Sequence, residues 1–143
     1  MSYDLVVFEA DGVPRELSDF QAWYSSNLDA AEESGTWLQS PSTSAFTAFY
    51  EAMVAEFPDM NGPSGEGVDE AERLAGYEFQ PSFISMDFRW SASERALNTV
   101  MRLAPQYNLG IYDNLDGLVF PDDQNSATPK LSITGWIRDL FKS

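Results

Sequence analysis

The chain has 143 residues, 43% of them hydrophobic and 14% aromatic, which predicts one domain able to hide about 70% of its unfolded surface. Its 23 acidic residues against 8 basic ones give a formal net charge of −15, which argues against binding a phosphate backbone or an anionic lipid surface. It has no cysteine and no histidine, so disulfides, thiolate nucleophiles, histidine-dependent triads and histidine-ligated zinc are ruled out.

Tyr3–Glu9 is rich in β-branched and aromatic residues and stops at Ala10-Asp11-Gly12, which predicts a first strand, central because apolar groups point both ways. A helix follows from a Ser18 cap to about Glu33, with Phe20, Trp23, Tyr24, Leu28 and Ala31 on its packed side and Ser34-Gly35 as its stop. Trp37 falls in a polar connector. A second helix starts near Thr43; Phe46, Phe49, Tyr50, Met53 and Phe57 form one stripe at helical spacing, read as core, and Pro58 ends it. Residues 58–76 hold two prolines and four glycines and read as a long acidic loop carrying Asp59, Glu66, Asp69, Glu70 and Glu72.

Tyr77–Gln80 reads as a short strand and Pro81-Ser82 as a turn. In Phe83–Trp90, Ile84, Met86, Phe88 and Trp90 alternate with Ser85, Asp87 and Arg89, so the first set is expected to pack and the second to face away. Ser91-Ala92-Ser93-Glu94 has the form of a capping box opening a third helix, with Pro105 kinking or ending it and Asn108 as its stop. Leu109–Asp113 and Leu118–Phe120 read as a hairpin turned by Asn114-Leu115-Asp116-Gly117. Beyond it lie a polar linker and an apolar stripe of Ile133, Trp136, Ile137, Leu140 and Phe141, expected as a C-terminal helix packing on the domain or on a partner. The expected fold is α+β: an antiparallel-rich sheet of four to five strands, helices mainly on one face, and a ferredoxin-like core order. Residues 1–121 form the domain and 122–143 the linker and helix.

Charge is unevenly placed. Residues 1–80 hold 16 acids and only the bases Arg15 and Arg73, a net of −14, whereas residues 81–143 hold 7 acids and 6 bases, a net of −1. An acidic first half suits a basic protein partner, because complementary fields speed encounter and reject wrong partners. Asp59, Asn61 and Glu70 match positions 1, 3 and 12 of a calcium loop, but Pro63 and Ser64 stand at positions 5 and 6, where a ligand and a glycine are needed, so no metal is expected. No glycine-rich phosphate cradle is present, and a carboxylate pair has no specificity among so many acids, so no cofactor and no catalysis are expected. The N-terminus lacks a basic leader, no run of 18 apolar residues occurs, and cysteine is absent, so a cytoplasmic protein off the membrane is expected.

Four fragments carry a resemblance: Tyr3-Asp4-Leu5-Val6-Val7-Phe8, Phe57-Pro58-Asp59-Met60-Asn61-Gly62-Pro63, Phe88-Arg89-Trp90-Ser91 and Gly110-Ile111-Tyr112-Asp113. Over about residues 3–121 the chain resembles a group of small acidic, mostly uncharacterised bacterial proteins that look like immunity proteins of contact-dependent or type VI secretion systems. The resemblance implies a cytosolic, non-enzymatic inhibitor whose partner is a cognate toxin with a basic active-site surface. The residues expected to meet it are Asp59, Glu66, Asp69, Glu70 and Glu72 of the loop, with Glu32, Glu33 and Trp37 of the connector after the first helix. The alternatives are a soluble structural or binding module whose charge only keeps it in solution and, as a third class, a carboxylate hydrolase.

Overall fold

The computed structural model describes residues 2–35, 38–62, 65, 67, 73–113 and 117–122. The elements in order are β1 (Ser2–Glu9), α1 (Leu17–Ser34), α2 (Ser44–Glu56), β2 (Ala75–Phe79), β3 (Phe83–Arg89), α3 (Ser93–Leu103), β4 (Leu109–Asp113) and β5 (Gly117–Val119). The fold is α+β, with one five-stranded sheet of order β2-β3-β1-β4-β5 and every neighbouring pair antiparallel.

β1 is the middle strand, and its alternation explains both layers. Tyr3, Leu5 and Val7 face the larger core with Phe46, Phe49, Met53 and Phe57 of the α2 side and Ala96, Leu97 and Val100 of α3. Val6 and Phe8 face the opposite layer, where Phe20 of α1 packs with Phe83, Tyr112 and Phe120. Phe8 meets Phe20, Trp23 and Phe120 at ring separations of 4.7, 6.3 and 5.3 Å. Each such buried ring contributes roughly 1.5–3 kcal/mol by leaving water. Two helices therefore cover one face and α1 covers the other. The α+β class, the antiparallel sheet of five strands and the majority of the helices on one face are as expected, whereas the strand order, with α1 on the opposite face, does not confirm the expected ferredoxin-like order.

Local signals hold at several ends. Thr43 caps α2, its Oγ1 accepting from the Phe46 N–H at 3.2 Å. Gly35 ends α1 in the left-handed region at φ 66°, and Asn108 takes φ 60° after the turn that contains Pro105. Met86 and Phe88 are buried in the α2–α3 layer while Asp87 and Arg89 point away, as the alternation predicts.

Two caps differ from expectation. α1 is capped by Glu16, not Ser18: the Glu16 carboxylate accepts from the Ser18 and Asp19 N–H groups, each at 3.2 Å. α3 has no capping box, because Trp90–Ala92 forms a 3-10 turn and the helix begins at Ser93 with no side-chain cap. β2 also begins earlier than expected, at Ala75. Its outer edge is occupied at both ends. Ala75 exchanges backbone bonds with Pro58 and Met60, and the Leu38 N–H donates to the Phe79 carbonyl. Such cover blunts an edge that would otherwise recruit another strand. The C-terminal helix expected after residue 122 lies outside the described residues.

Candidate interaction surface

Among the described helices and strands, α1 carries the most charge. It holds Asp19, Asp29, Glu32 and Glu33 and no lysine or arginine, and all four acids are exposed. Asp19 sits in the first turn, where the helix dipole favours an anion, with Glu16 capping just before it. The hydrogen bonds from Ser18 and Asp19 hold the Glu16 carboxyl below the usual carboxylate range. Glu32 and Glu33 occupy the opposite end, where unpaired carbonyls make anions unfavourable and no basic residue lies in the last turn. Helix stability alone would place lysine or arginine there.

The sheet repeats the pattern. Asp4 on β1 lies directly opposite Asp87 on β3, and like charges so placed destabilise the pair. Burial first, and the Asp4 charge second, push the Asp87 carboxyl above its usual range. On the far side Asp87 faces Gly76 of β2, and a β-carbon at 76 would overlap the Asp87 carboxylate. Glycine is thus required for the carboxylate to lie over β2.

Several arginines are engaged within the fold. Arg15 makes two 2.9 Å bonds to Asp122 and lies 4.2 Å over the Phe120 ring. Arg102 pairs with Glu56. Arg95 stacks on Phe57 at 4.7 Å and reaches the Glu56 carbonyl at 3.4 Å, so both α3 arginines serve the C-terminal end of α2. Glu56 is spent there, whereas α1 offers its acids outward.

Of the residues expected at the interface, Glu32 and Glu33 are exposed and adjacent on α1. Trp37, Glu66, Asp69, Glu70 and Glu72 lie outside the described residues. Asp59 has a different position from the surface one expected of it: it is 5% exposed. Its Oδ2 accepts from the Tyr50 hydroxyl at 2.8 Å and its Oδ1 from the Asn61 N–H at 2.9 Å. Tyr77 donates to the Phe57 carbonyl at 2.6 Å beside it, and a β-carbon at Gly65 would overlap the Asp59 carbonyl. Asp59 therefore organises the start of the loop and turns no charge outward; the same bonds take up the carboxylate that a calcium loop would need first. Among the described residues no group of three or more acids has metal-site geometry.

Two residues escape the sequence pattern. Trp90 shares the alternation of β3 but falls just past the strand, and it is 38% exposed; Met60, beside the buried Asp59, is 49% exposed. The register predicts a packed Trp90, and only the strand's end at Arg89 frees it.

No protein-family model matches the chain, and no curated protein or solved structure matches it either.

Proposed function

We propose that the chain is an immunity-type inhibitor, which binds and neutralises a cognate antibacterial toxin through an acidic surface and performs no catalysis. The observation that carries the reading is α1: a helix with four exposed acids and no base, two of those acids at the end where the helix dipole opposes them. Charge held against local stability is charge kept for something outside the fold. The Asp4–Asp87 pair and the resemblance of the four sequence fragments support the same reading.

The physics is substrate mimicry. A toxin that acts on nucleic acids or nucleotides presents a cationic site, and an acidic protein steers into it and occupies it. Exposed charges at the rim act mainly on the association rate. The test is co-purification with the product of the adjacent gene, followed by stopped-flow association. Converting Glu32 and Glu33 to Lys is expected to slow association by about tenfold or more in low salt and to flatten its salt dependence. Converting Asp69, Glu70 and Glu72 to Lys probes the loop in the same way. Unchanged rates in both variants would remove these acids from the mechanism. A chain that binds no basic product of its neighbouring gene would be a binding module of another kind.

A further inference from the structure

We propose that the C-terminal segment, residues 123–143, docks on the chain's own α1 layer as a second helix beside α1. Its seat is a half-covered groove between one flank of α1 and the outermost strand β5. The two faces of the sheet are covered unequally. Neighbouring strands lie about 4.8 Å apart, so five of them span about 19 Å, and a helix with its side chains is about 10 Å wide. One face has α2 and α3 for that width, and the other has α1 alone among the described residues. The strip beside α1 is contiguous. Leu17, Tyr24 and Leu28 fall on one flank of the helix, about 16 Å from end to end, and all three are half-buried. On that flank the Gln21 amide donates to the Tyr112 hydroxyl at 3.3 Å, and the Tyr24 and Tyr112 rings lie 5.4 Å apart. Leu118 of β5, also half-buried, stands directly opposite Tyr112, so it forms the other wall.

The chain itself leads into this groove. Phe120 and Pro121 are buried, and Phe120 belongs to the α1 layer. Arg15 holds Asp122 by two 2.9 Å bonds two residues before Leu17, so the segment starts at one end of the flank. Residues 123–132 reach up to about 35 Å, enough to place a helix anywhere along it. Beyond them Ile133, Trp136, Ile137, Leu140 and Phe141 repeat at i, i+3, i+4, i+7 and i+8, one apolar face about 12 Å long that matches the groove in length. An apolar face of that size marks a contact site. Charge favours the same pairing. The segment holds 3 bases, both lysines of the chain among them, against 2 acids, a net of +1, whereas residues 1–122 hold 21 acids and 5 bases, a net of −16. Glu32, exposed, continues the α1 flank one turn past Leu28.

The chain has no cysteine, so introduced pairs can be spin-labelled without background. Full-length chains carrying Ser25→Cys with Ser132→Cys, or Asn98→Cys with Ser132→Cys, report the two faces by electron–electron distance measurement. Ser25 is exposed on α1 and Asn98 is exposed on α3. The Ser25 pair is expected to give one narrow distribution within about 25 Å, the 8–10 Å between packed helix axes plus the reach of two labels. The Asn98 pair should give a longer distance. Leu118→Asp in the groove and, separately, Ile137→Asp in the segment should abolish the short Ser25 distance. Ile137→Asp changes a residue outside the described ones, which keeps the test valid if Leu118→Asp does not fold. A broad distribution for the Ser25 pair, a short distance from Asn98 instead, or a short Ser25 distance that persists in Ile137→Asp would overturn the docking. So would a short distance that disappears on dilution with unlabelled chain, which would place the segment on a second copy.

Discussion

Removing the Tyr50 hydroxyl separates the structural role of Asp59 from a surface one. Tyr50→Phe leaves the net charge at −15 and keeps the edge-on contacts of the ring with Tyr77 and Phe79, both at 5.1 Å. What it deletes is the 2.8 Å donor to the Asp59 carboxylate, a group only 5% exposed and therefore unable to recover a full water shell. A hydrogen bond to a charged group contributes about 1.5–3 kcal/mol, and a buried acceptor stripped of its donor loses most of that. For a chain of this size each kcal/mol moves the melting midpoint by about 3 °C, so the midpoint should fall by about 5–9 °C. Differential scanning calorimetry measures it directly. Asp59→Ala and the double variant complete a cycle, and a coupling of about 1 kcal/mol or more is expected because the two groups touch. A midpoint for Tyr50→Phe within about 1 °C of wild type would refute the burial argument. Asp59 would then be available to the surface after all.

Other substitutions probe other links of the chain from sequence to fold. Thr43→Ala removes the acceptor for the Phe46 N–H and should cost about 1 kcal/mol in urea unfolding. Gly110→Ala would set a β-carbon into the Phe8 ring and 3.0 Å from the Val119 carbonyl, so a loss of about 1–3 kcal/mol or more is expected in the same assay. Asp87→Asn should stabilise the protein at neutral pH. The folded carboxyl binds its proton more tightly than the unfolded one, whose value is near 3.8, so its penalty is absent below that value and grows as pH rises through the raised one. The gain of Asp87→Asn, followed by thermal melts across the acid range, should therefore vanish towards low pH. A gain that instead grew with acidity would reverse the sign of the argument.

Elements whose signal is local were legible in the sequence. β3 declares itself by alternation, α2 by its aromatic stripe between Thr43 and Pro58, and β1 by apolar residues on both sides. The errors arise where a residue's partner lies far along the chain or where two local signals compete. Gly76 looks like a break in sequence, yet it sits within β2 because the Asp87 carboxylate fills the space of its missing side chain. Ser91 and Glu94 have capping spacing, but the 3-10 turn at Trp90–Ala92 shifts the helix start to Ser93. Glu16 takes the role of Ser18 because its longer carboxylate reaches forward and accepts from the Ser18 and Asp19 N–H groups at once. At the candidate surface, Glu32 and Glu33 were expected in the connector after the first helix, and they stand exposed in the last turn of α1 instead. The burial of Asp59 was not legible, since it depends on Tyr50 and on the bridge to Ala75. Trp90 was missed because alternation fixes the face of a residue and not whether the layer extends far enough to cover it.

The charges of this chain differ in how the fold treats them, and that difference separates solubility from recognition. A charge kept only for solubility has no reason to sit where it opposes the fold, because any exposed position serves. Glu16 and Asp19 follow that logic, since both stabilise the start of α1. Glu56, Asp122 and Asp59 also serve the structure, through Arg102, Arg15 and Tyr50. Glu32 and Glu33 at the C-terminal end of α1, and Asp4 facing Asp87, do the opposite: each position would be more stable with a neutral or basic residue. A cation seated at the C-terminal end of α1 would offset the helix-end penalty of Glu32 and Glu33. On the proposed function, a basic partner would draw part of its binding free energy from relieving the unfavourable charge at this helix end. A basic partner would then be favoured over a neutral one of equal shape, and the variant with Glu32 and Glu33 converted to Lys would lose that preference.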